Sequence, residues 1–544
     1  MNDEQKSTLS KQLMALLQPE QVLVSPEDLK RYGQNCEAIR YRAPIVVCAR
    51  QVSDIKALLQ LANQLAGSEL HFSIYPISTG NNWGYGSSRA PNQSSVLLDL
   101  SALNQIRLID AQLGLIEVEP GVTQQQLWEF LQAGQLDFMV PVTGAGPSCS
   151  ILANALERGY GITPYTDHFG AVASIRGFLA DGTSFRSAIA ELDQSGEDRI
   201  DHSYKYGVGP YLDGLWTQSN LGIVTSLSLR LKARPKGFCA FYLQFKQDTD
   251  FAKAQQLVFK LLQRLEGVVG SINLMDQRRL AAMMAPNPNG PAQHQVMSQQ
   301  QLQTIAKNFQ IPAWTVVGSL YGEPQVVAAA QAVVKQLCKG LGCKIILSNG
   351  PLIRIASRLL PHLPASWLAK ERGMLASMQA GIEIMLGKPN QVALPLPYWR
   401  NASLQPAPGN PLNPARDGCG LLWYAPLIPM ETKAMWHFVE TVRRICPQYG
   451  IEPMITFTNL RHDCVDSTIP IIFDASNPTA CEQAQACLTA LVAYGLEQGW
   501  VPYRLNLEQQ QRLLQKDSAF WQLVARLKTA LDPHHLLSPG RYNP

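Results

Sequence analysis

An α+β chain of two domains is what the sequence predicts, and three observations predict it. Across residues 236–500, apolar strand-like runs alternate with amphipathic helical stretches: Phe241 to Phe245 before 251–266, Trp314 to Leu320 before 324–341, and Leu421 to Ala425 before 431–446. Upstream, short apolar runs pair across hairpin signals, Ile106–Ile109 with Leu115–Val118 and Ala173–Leu179 with Ser184–Arg186 around Asp181-Gly182. Before the first hairpin and between the two lie glycine-rich stretches, 76–86 and 141–148, each beside an apolar run. At 544 residues the chain is long enough for two or more full cores. The division this suggests is 1–235, then 236–500, then a segment 501–544 that returns to the first domain.

In chain order, residues 8–34 are expected to be helical, with Leu9, Leu13, Leu16 and Leu17 at helical spacing and Ser25-Pro26 opening a second helix. Pro44 to Cys48 is a short buried strand. Ser53-Asp54 caps a helix carrying Ile55, Leu58, Leu59 and Leu61. Leu70 to Ile77 is expected as a strand running into the first glycine-rich loop, and Val96 to Leu100 follows it. Glu119-Pro120-Gly121 turns the chain, and Thr123 to Gln126 has capping-box form. Leu221 to Leu231 is one more strand. Residues 285–303, rich in Pro, Asn, Gly and Gln, are expected as an exposed loop.

Composition excludes several classes. Hydrophobic content of 46% and charged content of 16% belong to an ordered globular protein. A net charge of +4 without a Lys/Arg run argues against a nucleic-acid partner. No apolar run is long enough to span a bilayer, and the first residues lack a signal-type apolar core. Eleven scattered cysteines, with no Cys-x-x-Cys pair and no metal spacing, are expected as reduced thiols in a cytoplasmic protein, with no metal site. No Gly-x-Gly-x-x-Gly opens a helix after the first strand, and no Walker loop is present.

The first loop, Pro76-Ile77-Ser78-Thr79-Gly80-Asn81-Asn82-Trp83-Gly84-Tyr85-Gly86, carries the chemistry. Its glycines let successive backbone N–H groups turn toward one point, the nest that holds an anion. A glycine-rich surface turn is the alternative. With the second stretch and nine further segments in order, the chain resembles the vanillyl-alcohol oxidase and 4-cresol dehydrogenase family of flavoproteins. Those segments include Val118-Glu119-Pro120-Gly121-Val122, Asn154-Ala155-Leu156-Glu157-Arg158-Gly159, Thr163-Pro164-Tyr165-Thr166-Asp167-His168, Gln218-Ser219-Asn220-Leu221-Gly222-Ile223-Val224, Gly499-Trp500-Val501-Pro502-Tyr503-Arg504 and Asp532-Pro533 to Pro539-Gly540-Arg541. The resemblance runs from about residue 40 to the C-terminus.

It implies a two-part FAD-binding domain of PCMH type and an α+β cap with an antiparallel sheet flanked by helices. It implies cofactor contacts from Thr79, Gly80, Asn81, Asn82, Trp83 and Gly84 around the diphosphate. Others would come from Gly144, Ser150, Asn154, Gly159 and Gly161 along the flavin, from Gly222, Ile223 and Val224, and from Arg541. Tyr85, Tyr503 and Arg504 match a phenolate clamp. An arginine and two phenolic donors lower the pKa of a bound phenol. The activity implied is removal of a hydride from the benzylic-type carbon of a para-substituted phenol through a quinone-methide-like intermediate. O2 or an electron-transfer protein would be the acceptor, and a homodimer or larger homo-oligomer the assembly.

Two departures qualify this. Phenol-oxidising members have an acid in the second stretch, whereas Val142 to Gly146 contain none. The tethering position aligns with Asp466, Ser467 or Thr468, so non-covalent FAD is expected, with a link through His462 as the alternative. Asp167-His168 is either a proton relay or a structural pair, and Cys419 is expected to be an inert thiol. Two other functions fit the motifs: a flavin-dependent 2-hydroxy-acid oxidoreductase with Arg504 on the carboxylate, and a non-catalytic flavin-binding subunit.

Overall fold

Two small sheets, a two-stranded pair (Phe138–Met139 with Lys232–Ala233) and one large sheet order the chain. In the computed structural model, residues 1–291, 295–348, 376–514 and 517–543 are described. The first sheet places Val22–Leu23, Val46–Cys48, Val96–Asp99 and Ile74–Ile77 side by side, the last three parallel. The helix Val52–Gln64 makes the crossover that parallel neighbours require. The second sheet is antiparallel, in the order Ile106–Asp110, Leu115–Val118, Gly222–Arg230, Val172–Leu179, Ser184–Phe185, and contains both expected hairpins.

Four expectations shift. Residues 8–34 are not one helical region: Asp3–Leu16 is a helix, Pro19–Gln21 a 3-10 turn, Val22–Leu23 a strand, and Pro26–Lys30 a second helix. Val22 and Leu23 gain more by pairing with Val47 and Val46 than by staying helical. The helix expected from Ser53 starts at Val52 behind Gln51. Asp54 lies one turn in and accepts from the N–H groups of Arg50 and Gln51. Leu70 to Ser73 precede the strand, which spans only Ile74–Ile77. The expected loop 285–303 ends early, because Ser298 and Gln301 form a capping box that opens the helix Gln299–Phe309.

The cap is an α+β unit around a nine-stranded antiparallel sheet. Its three long strands are Gly237–Phe245, Trp314–Gly322 and Cys464–Asp474. Helices Phe251–Arg264, Pro324–Cys338, Thr432–Ile445 and Pro478–Glu497 cover one face. Phe241, Phe245, Trp314, Phe438 and Phe457 are fully buried in that layer. Each contributes about 1.5–3 kcal/mol, so the apolar face fixes the strand register. Residues alternating with these turn to the opposite face, toward the first domain.

The chain does not leave the cap at 500: Val501–Pro502 still pairs with Pro426 and Leu427. The return to the first domain comes later, where Leu537 bridges to Ile74. A fully buried ion pair, Lys528–Asp532 at 2.7 Å, fixes that return. The Lys528 ammonium also donates to the carbonyls of Asn220 and Leu537, and Asp532 accepts from the N–H groups of Leu536 and Leu537. Among the described residues, no helix is long and apolar enough to cross a membrane.

Candidate active site

Between the two domains lies a cavity of about 460 Å³. Its first wall is backbone. Ser78 to Trp83 line it, and the N–H groups from Thr79 to Trp83 donate to no protein acceptor among the described residues. Gly80 takes φ +68°, and a Cβ there would sit 2.4 Å from Ser88 Oγ. Asn81 ties this loop to the second stretch by donating to the Ser148 carbonyl at 3.0 Å. Trp423 Nε1 donates to the Trp83 carbonyl at 3.1 Å, clipping the loop to the cap.

The second stretch supplies Thr143, Gly144, Ala145, Cys149 and Ser150. Ser150 Oγ accepts from Ala153 N–H, capping Ile151–Leu156, and donates to the Pro120 carbonyl. Asn154, Gly159 and Tyr160 follow along the wall. Asn154 is held by His168 at 2.6 Å, and burial lowers the His168 pKa to about 4, so the ring is neutral. His168 therefore acts as a structural partner of Asn154.

Strand alternation decides the third stretch: Gly222 and Val224 line the cavity, while the Ile223 side chain points into the core. Gly84 and Gly161 also lie off the wall, packed against Trp423 and against the Val142 carbonyl and His168. Arg541 closes this end, donating to the Tyr75 hydroxyl at 2.8 Å and pairing with Glu157. His462 is off the wall too, its ring 5.9 Å from that of Phe259. Cys419 is buried, and burial pushes its thiol up to about 12.

Tyr85, Tyr503 and Arg504, distant in sequence, meet on the cavity wall. The Arg504 guanidinium lies 4.5 Å from the Tyr85 ring centroid. Its Nη2 donates to Asn82 Oδ1 at 2.7 Å, and its Nε is 3.3 Å from Glu157 Oε2. The Tyr503 ring stands 5.5 Å from that of Tyr160. Burial raises the phenolic pKa values of Tyr85, Tyr160 and Tyr503, and Arg504 offsets this only partly at Tyr85 and Tyr503. All three stay neutral hydroxyl donors.

The cap wall is made of side chains. Thr468 lines the cavity, and Asp466 lies two residues away on the same face of Cys464–Asp474. Asp466 is 5% exposed, and neither carboxyl oxygen has a hydrogen bond of ordinary geometry. Burial holds its pKa well above the usual carboxylate range, and the nearby Tyr160 hydroxyl opposes this. Its influence reaches Tyr85, Tyr160 and Tyr503. Arg279, at the start of Gln277–Met284, also lines the cavity. Sequence reasoning missed Tyr160 and Arg279 as site groups, and placed Asp466 only as one of three residues at the tethering position, not as an acid–base group. The one available signal was Asp466, a lone acid in a run otherwise of hydroxyl and apolar residues.

The FAD binding domain family matches residues 43–187. The chain is 28% identical over 511 residues to the 1'-carboxy-chondrochloren decarboxylase of Chondromyces crocatus, covering 93% of this chain and 91% of that protein. It is 26% identical over 537 residues to the 4-cresol dehydrogenase [hydroxylating] flavoprotein subunit of Pseudomonas putida, covering 97% and 93%. In fold it matches p-cresol methylhydroxylase with substrate bound at TM-score 0.85 and 23% identity, covering 100% of this chain and 98% of that one. It matches 4-ethylphenol oxidase from Gulosibacter chungangensis at TM-score 0.86 and 21% identity, with the same coverage. The residues present fit the cofactor: uncommitted backbone amides and a glycine-lined wall suit a diphosphate and a flat ring. The chain thus carries an FAD-binding domain in the PCMH-type fold, is homologous to the 4-cresol dehydrogenase flavoprotein subunit, and is an FAD-dependent oxidoreductase.

Proposed function

We propose that this flavoprotein oxidises a para-substituted phenol at its benzylic-type carbon. The observation that carries this is the convergence of Tyr85, Tyr503 and Arg504 on one cavity beside the glycine-rich wall. FAD, when bound, supplies the hydride-accepting chemistry. Thr79 to Trp83 would hold its diphosphate, and Gly144, Asn154, Gly159, Gly222 and Val224 leave room along its length.

The chain's own residues then bind, orient and deprotonate the phenol. Tyr85 and Tyr503 remain hydroxyl donors, so both can donate to the phenol oxygen. Arg504 adds positive charge at the same point. Donors and charge together favour the phenolate, which is the electron-rich form able to release a hydride from the benzylic carbon of the para substituent. Asp466, beside Tyr160, is the group placed to take the phenolic proton. Burial raises its pKa while the clamp lowers that of the phenol, which narrows the gap across which the proton moves. An acid on the cap would thereby replace the one missing from Val142 to Gly146.

The relation to a protein named for 4-cresol supports a phenolic substrate. The double variant Tyr503→Phe/Arg504→Ala should lower kcat/KM for 4-alkylphenols by about a hundredfold or more, since each lost hydrogen bond to a charged group is worth about 1.5–3 kcal/mol. It should also abolish the ultraviolet signature of an ionised bound phenol. Unchanged turnover of every phenol tested would remove the clamp from the mechanism.

A further inference from the structure

Among the described residues, Arg279 is the one cation on the cavity wall with no carboxylate within ion-pair distance. Arg504 and Arg541 share Glu157. The neighbouring Arg278 is paired with Glu452. Arg279, by contrast, has buried Nε and Nη1 atoms that find no acceptor. Its backbone is fixed, because Asp276 Oδ1 accepts from Arg279 N–H at 2.9 Å and from Ile455 N–H at 3.0 Å. Around it the wall is apolar: Trp83, Leu394, Leu396 and Leu421 line the same cavity and pack with Ala281 and Ala282 of its own helix.

An unpaired guanidinium in such surroundings is costly, and burial lowers its pKa to about 10 against the opposing pull of Asp276. The cost is recovered only when an anion enters. We infer that Arg279 is a subsite for a carboxylate on the substrate, so that the enzyme acts on a phenol whose side chain ends in a carboxylic acid. A single planar cation in an apolar pocket neutralises one carboxylate fully, whereas a phosphate would keep uncompensated charge. The anion sites of the first domain are backbone nests, and Arg279 stands apart from them on the cap. This inference rests on the phenolic reading above for the rest of the molecule bound, but not for the carboxylate itself.

The test is equilibrium binding to the full FAD-loaded protein, followed by perturbation of the visible flavin spectrum under anaerobic conditions. The probes are 4-hydroxyphenylpropionate, its methyl ester, 4-propylphenol and 3-phenylpropionate. The wild type should bind the acid at least tenfold more tightly than the ester. Arg279→Met should bring that ratio close to one, and Arg279→Lys should restore part of it. Equal affinity for acid and ester in the wild type overturns the inference without any variant being needed. A ratio untouched by Arg279→Met, accompanied by loss of FAD on gel filtration, overturns it in favour of a cofactor contact. Failure of the phenolic reading looks different. There 3-phenylpropionate would bind with the same Arg279 dependence as its hydroxylated partner, while 4-propylphenol left the spectrum unchanged.

Discussion

The two walls of the cavity are built by opposite means. On the first domain, glycines and uncommitted amides do the work, and charged side chains there are already paired, Arg504 and Arg541 with Glu157. On the cap, two side chains have unmet demands: Arg279 on the wall with two unpartnered nitrogens, and Asp466, two residues from Thr468, with both oxygens unpartnered. A wall of backbone suits a ligand of fixed shape, because main-chain geometry hardly depends on neighbouring side chains. A wall of unsatisfied side chains suits a ligand whose own polar groups complete it, and such a wall can change by single substitutions. The first wall therefore belongs to the cofactor and the second to the substrate.

That contrast can be broken at several points. The largest expected effect is at Gly222, where a Cβ would lie 2.1 Å from the Trp216 ring. Gly222→Val should leave the purified protein colourless, whereas Thr468→Val on the cap should leave its flavin content intact. Equal flavin loss in both would mean that the walls are not separable. Next is Lys528→Met, which strands Asp532 in the core behind the wall. Breaking a buried pair costs about 3–5 kcal/mol, so the chemical-denaturation midpoint should fall well below that of the wild type, and the fold should retain FAD less tightly through Ser538 and Arg541.

Asp466→Asn probes the cap directly. It should lower turnover by about a hundredfold, the scale of a lost acid–base group. Because the carboxyl pKa is raised, wild-type activity should climb with pH as Asp466 ionises, and this limb should vanish in the variant while phenol affinity persists. The same shift has a stability consequence. The protonated carboxyl is fully accommodated below its unfolded value near 3.8, and stability is given up as pH rises from there.

The smallest effect concerns His168. Its pKa falls from 6.5 unfolded to about 4 folded, so the unfolded chain binds the extra proton between those values. Stability is complete above pH 6.5 and drains as pH falls, by about 2 kcal/mol at pH 5. Thermal melts of His168→Gln should show a flatter acid limb than the wild type.

Much of this was legible before folding. The nest at Thr79 to Gly84 was visible because glycine spacing is a local property, and the hairpin at Asp181-Gly182 for the same reason. The Thr123–Gln126 capping box formed as expected, with Gln126 N–H donating to Thr123 Oγ1 at 3.2 Å and Thr123 N–H to Gln126 Oε1 at 2.9 Å. What failed was local pattern under tertiary competition. Val22 and Leu23 left a helical region for a strand partner, and Ser298 closed a loop early. Ile223 turned inward because a strand cannot present three consecutive side chains to one face.

The sequence by itself determined the α+β alternation and the glycine-rich wall, and the family resemblance of its motifs put Tyr85 with Tyr503-Arg504. Those depend on short-range geometry and on motifs carried in order along the chain. Only the tertiary structure decided which charges remain unpaired. Arg278 and Arg279 are adjacent and chemically identical, yet one meets Glu452 and the other meets the cavity. Pairing is settled by how strands 180 residues apart come into register, and no local pattern encodes a partner at about that distance.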